Sequence, residues 1–196
     1  MEYIFNHHKR VLFLYGVILS FSFYYVITSH PELALYKLNM LKTYSQNLYS
    51  TVRTIVLFFT VVSSLLQPIF TVYFISIFFW CASVFFNKEY SYLFFVKTLS
   101  ISYFISFLWT EIKLFLFLIS GNVQLIDNIF KVDNPIINIL LSSCSPIDLI
   151  FYSCTGWIIS KSKKEDKWIS LFLLAFFLQF LVVFCIKIIS LLMSNY

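Results

Sequence analysis

Charge is scarce in this chain of 196 residues, and so are glycine, proline and any paired cysteine. Charged residues make up 12% and hydrophobic residues 60%, against about 25% and 45–50% in an ordinary soluble domain. That shortage of charge excludes a soluble globule. Twenty-five Phe and thirteen Tyr exceed what one small soluble core hides, because surface scales steeply at this size. Three Gly and four Pro leave no flexible linker and no low-complexity segment, so the expected unit is one membrane domain over 1–196. The four Cys (Cys81, Cys144, Cys154, Cys185) form no CxxC or other close ligand pair and read as small hydrophobes.

Catalytic layouts are missing as well. There is no HExxH, no Gly-rich phosphate loop and no Ser/Lys or Asp/Asp constellation at one expected depth. His7 and His8 are adjacent and diverge on a helix. His30 precedes Pro31 in a turn with no evident partner. We therefore expect no enzyme, no cofactor and no metal. The net charge of +5 does not point to nucleic acid, because basic residues on short cytoplasmic loops account for it.

What is present is a series of long apolar runs. A crossing helix needs about 20 apolar residues, within a range of about 17–25. Five segments qualify, at about 11–28, 67–86, 93–110 (or on to Ile119), 147–160 (extended backwards by "NPIINILLSSCS") and 168–193. The expected fold is therefore all-α, a polytopic transmembrane helical bundle. The apolar run from Thr51 to Phe86 is long for one crossing. A break at Gln67-Pro68 would divide it into two spans, or into one span preceded by a helix over about 51–66 lying at the interface. Within 51–66 and its border, Arg53, Thr60, Ser63, Ser64 and Gln67 fall in an arc of roughly 100°, interrupted by Val56, which suits an interfacial or bundle-facing helix. The first span is too long for an obvious signal peptide, and Ser20 to Pro31 shows no clean cleavage signal, so it is expected to be retained.

Charge placement selects the five-span reading. Six charged side chains occupy the seven positions Lys161 to Lys167. With five spans and the N-terminus inside, Lys9, Arg10, Lys88, Lys97, Lys161, Lys163, Lys164 and Lys167 all face the cytoplasm, and the C-terminus lies outside. Six spans would export the two most basic loops, against the positive-inside rule. Trp109, Trp157 and Trp168 fall at interface depth, where indoles concentrate; Trp80 is deeper.

Three features are candidates for contact or chemistry. Thr98, Ser102, Ser106 and Thr110 follow i, i+4 spacing on the third span. Such a face permits close helix approach, either within the bundle, along a polar substrate path or at a partner seam. Gly16-x-x-x-Ser20 and Gly156-x-x-x-Ser160 offer similar faces. Glu111, Lys113 and Asp148 lie near the outer boundary and Gln179 lies mid-span. Intramembrane polar groups of this kind are costly and often functional, although Asp148 also suits the first turn of a helix and Gln179 also suits a bond within the bundle. Finally, Lys161, Lys163, Lys164 and Lys167 either anchor the topology or dock a cytoplasmic partner or anionic lipid.

Two stretches carry a resemblance. One is "FFWCASVFFNKEYSYLFFVKTLSISYFISFLW"; the other is "NPIINILLSSCSPIDLIFYSCTGWIISKSKKEDKWISLFLLAFFLQFLVVF". A span, a short basic inner turn and a span, then a Pro-led span with Gly156 near its inner end, a Lys-rich turn and a last span, resemble the Yip family of five-span, Ypt/Rab-interacting membrane proteins over about half the chain. Eukaryotic members carry a long cytoplasmic N-terminal region linked to Rab binding; here only "MEYIFNHHKR" precedes the first span, so Rab binding does not carry over. The third span also lacks the Pro that bacterial relatives often show. The compact size is similar to the bacterial branch, some of whose members are associated with ABC exporters and antimicrobial-peptide resistance. The resemblance thus implies an accessory protein of a bacterial cytoplasmic membrane, with the lipid bilayer and another membrane protein, such as ABC transporter subunits, as partners. A small-molecule permease or its binding subunit, and an intramembrane enzyme, are the competing expectations.

Overall fold

The computed structural model describes residues 7–29, 46–120, 146–163 and 168–194. All regular structure among them is helical: α1 His8–Ser29, α2 Gln46–Phe85, α3 Tyr92–Ser120, α4 Pro146–Lys163 and α5 Trp168–Ser194. Four of these, α1, α2, α3 and α5, are long and apolar enough to cross a membrane by length and composition, the signature of an integral membrane protein. α4 has 18 residues, about 27 Å of helix, and is not among the four.

α2 departs from the expected division. It is a single helix of 40 residues with Pro68 inside it, about 60 Å long. The break expected at Gln67-Pro68 does not occur, and segment 51–66 is continuous with the turns beyond Pro68. An interior proline removes one ladder hydrogen bond and crowds the preceding turn. Here packing clamps the helix on both sides of it: Ser64 is buried before Pro68, and Val72, Ile75 and Phe79 after it. The polar arc also divides, because Ser64 turns into the bundle whereas Ser63 and Gln67 are exposed.

α2 ends in a left-handed residue, Asn87, at φ 52°. The Lys88 amide donates to the Ser83 carbonyl at 2.9 Å and the Asn87 amide to Val84 at 3.0 Å, which satisfies the last carbonyls of the helix. Four residues on, the Ser91 hydroxyl accepts from the Phe94 amide at 3.2 Å and caps α3. Two caps within nine residues make the α2–α3 turn tight. α3 then runs to Ser120, in line with the longer of the two expected extents, to about Ile119.

Side-chain pairs give the directions. Gly16 lies against Leu65, and Ser20 against Val61 and Ser64, so α1 and α2 are antiparallel. Tyr15 stacks on Phe107 at 4.9 Å and Ser22 meets Glu111, so α1 and α3 are parallel. Tyr152 meets Phe176, and Gly156 meets Trp168 and Phe172, so α4 and α5 form an antiparallel hairpin. That hairpin docks through Tyr152, whose ring stacks on Phe79 of α2 at 5.1 Å. The continuous core joins Leu12, Val72, Phe79, Leu99, Tyr152 and Leu171.

Candidate functional site

The hydroxyl stripe of α3 is largely spent inside the bundle. Thr98 and Ser102 are fully buried. Thr98 donates to its own helix at Phe94 (2.9 Å), Ser102 to Thr98 (3.5 Å) and Thr110 to Ser106 (2.9 Å). Of the three readings of this face, the burial of Thr98 and Ser102 fits packing within the bundle, where the small side chains admit neighbouring helices of the same chain. Ser106 and Thr110 are half-buried.

Gly156 likewise serves an internal contact. A Cβ there would stand 2.9 Å from the Trp168 ring and 3.3 Å from Phe172 Cβ, so the glycine lets α4 close on α5. Ser160 is half-buried and Lys161 exposed. Lys163 closes α4; Lys164 and Lys167 lie outside the described residues. The tightest approach is at Gly16, where a Cβ would overlap the Leu65 carbonyl. The Gly16-x-x-x-Ser20 spacing signalled it: Ser20 Oγ donates to Gly16 (2.8 Å) and across to the Val61 carbonyl (3.1 Å), and Ser64 Oγ meets Ser20 Oγ at 3.3 Å.

The ionisable groups Glu111 and Asp148 fall on two separate seams. On the α1–α3 seam, Ser22 Oγ donates to Glu111 Oε2 at 2.8 Å, while Glu111 Oε1 is buried without a hydrogen bond. Ser22 escaped the sequence reading, because one serine in "SFSFYY" carries no periodic signal. Lys113 does not join this pair; its Nζ lies 5.5 Å from the centroid of the Trp109 ring, a cation–π contact. On the α4–α5 seam, Asp148 in the first turn of α4 interacts electrostatically with Lys187 of α5. Tyr152 Oη, one turn along α4 from Asp148, is buried without a hydrogen bond, as is Gln179 Oε1 on α5. Tyr152 and Lys187 were also missed, since an aromatic or a lysine near the end of an apolar run is ordinary in a membrane helix. No three His, Cys, Asp or Glu among the described residues gather as a metal site.

A cavity of about 340 Å³ opens between α1 and α2, lined by Val17, Ser20, Phe21, Tyr24, Val61 and Leu65. None of Glu111, Gln179 or the α3 stripe reaches it.

Comparison with protein-family models, curated proteins and solved structures finds no match.

Proposed function

We propose that this chain is a non-enzymatic accessory protein of a bacterial cytoplasmic membrane, Yip-like in layout, that docks on another membrane protein. The partner class is an ABC exporter's permease or ATPase subunits, in peptide export or antimicrobial-peptide resistance. The proposed topology has five crossings, the N-terminus inside and the C-terminus outside, with α4 as the short fourth crossing and the Lys161–Lys167 turn in the cytoplasm. The helix directions support it: α1 and α3 run together, α2 opposes α1, and α5 opposes α4.

One observation carries the accessory reading. The buried residues of α5, Leu171 and Ala175, lie in its first eight positions, whereas Leu181, Val182, Ile186, Ile189 and Met193 of its distal half are 38–75% exposed. An apolar face about half the helix long is thereby offered to the membrane. The permease reading requires Glu111, Gln179 and the α3 hydroxyls around one cavity. Glu111 instead sits between α1 and α3, Gln179 sits on α5, and the hydroxyls bond their own helix.

The test is photo-crosslinking in native membranes. A photoreactive residue in place of Ile186 should capture a transporter ATPase or permease, and tagged wild-type protein should recover the same subunit in detergent. Recovery of neither above background refutes the accessory role.

A further inference from the structure

We propose that the crevice between α1 and α2 is a binding site for the acyl chain of an anionic bilayer phospholipid, whose head group lies at the Ser29 end of α1. The crevice follows from the helix crossing. At Gly16 and Leu65 the backbones touch; beyond that point the side chains of Val17, Phe21 and Tyr24 on α1 face Val61 and Leu65 on α2 across an open wedge. Positions 17, 21 and 24 form one stripe, about two turns long.

The chemistry of the walls selects the occupant. Ser20 is the sole small polar residue lining the crevice, and its hydroxyl already donates to the Gly16 and Val61 carbonyls and meets Ser64. It has little left to offer a polar ligand, so the wedge suits hydrocarbon. Both walls belong to helices long and apolar enough to cross a membrane, so acyl chains are the hydrocarbon at hand. At the outer mouth Tyr24 is 48% exposed, and a tyrosine presents an apolar ring with a polar tip.

The charge lies one turn further out. Gly16 pairs with Leu65 and Ser20 with Val61. Carried outward in the same antiparallel register, this brings Thr28 level with Arg53. Arg53 is half-buried and forms no ion pair with a described residue. A guanidinium at the mouth of a hydrocarbon slot is complementary to a phosphate head group on a tail that fills the slot.

The experiment uses the full chain in nanodiscs of equimolar phosphatidylglycerol and phosphatidylcholine, released and weighed by native mass spectrometry. Wild type should retain phosphatidylglycerol in about fivefold preference, the value of one basic residue near an anionic surface. Val61→Trp, which fills the wedge, should lose the bound lipid. Arg53→Gln, a change at the mouth, should keep a bound lipid and lose the preference. A phosphatidylglycerol with a photoactivatable acyl chain should label Phe21 and Tyr24 more than Ile186, which is exposed and meets free lipid in nanodiscs that hold this chain alone. Equal retention of the two lipids by wild type, lipid binding undiminished in Val61→Trp, labelling as strong at Ile186 as at Phe21, or retention of free fatty acid in place of phospholipid each overturns the assignment. Should Val61→Trp fail to fold, Arg53→Gln and the labelling pattern still decide it.

Discussion

The Ser22 hydroxyl and the Glu111 carboxylate meet at 2.8 Å across the α1–α3 seam, 89 positions apart in the chain. Glu111 has a second oxygen buried without a hydrogen bond. Interhelical hydrogen bonds in membranes average about 0.6 kcal/mol and reach about 1.7. Ser22→Ala should therefore cost about 1 kcal/mol, and Glu111→Gln, which keeps an acceptor for Ser22, less than Glu111→Ala. A double-mutant cycle on Ser22→Ala and Glu111→Ala, read by reversible unfolding in mixed micelles, should give a coupling of about 0.5–2 kcal/mol. Strict additivity rules the pairing out.

Gly16 and Gly156 should differ on substitution. A methyl at Gly16 meets backbone, the Leu65 carbonyl; at Gly156 it meets the Trp168 and Phe172 side chains. Backbone cannot turn aside as a side chain can, so Gly16→Ala should push α1 from α2 and cost about 1–3 kcal/mol, with Gly156→Ala milder. Thermal unfolding of the two variants ranks them; a reversed order contradicts the tight α1–α2 crossing.

Tyr152 makes an opposite kind of prediction. Its ring stacks on Phe79 and abuts Phe176, but its hydroxyl is buried without a hydrogen bond. Deleting an unsatisfied buried polar atom relieves its desolvation cost. Tyr152→Phe should thus match or exceed wild type in stability, while Tyr152→Ala should lose about 3–5 kcal/mol with the ring. A strong loss in Tyr152→Phe would mean that the hydroxyl has a bonded partner.

Topology is decided by fusion. A reporter after Tyr196 should be active only outside the cytoplasm, and one placed in the Lys161–Lys167 turn only inside. Changing Lys161, Lys163, Lys164 and Lys167 to Gln should raise the inverted fraction, because loop lysines set orientation. A cytosolic reporter after Tyr196 would leave an even number of crossings, with α4 as the helix that fails to cross.

Hydrophobic length and charge are local properties, so the sequence by itself determined the all-helical class, the apolar helices and the α5 start at Trp168. Proline's local cost suggested a break at Pro68; packing on both sides of it, visible only in three dimensions, decided for one continuous helix. The i, i+4 hydroxyls of Thr98 and Ser102 were legible as a close-packing face, but which neighbour they face depends on distant segments, and the neighbours prove to be the chain's own helices. Ser22 with Glu111, Asp148 with Lys187 and the α1–α2 crevice were hidden for the same reason. Each is made by residues far apart in the chain, whose meeting depends on how the helices cross and not on any pattern within one of them.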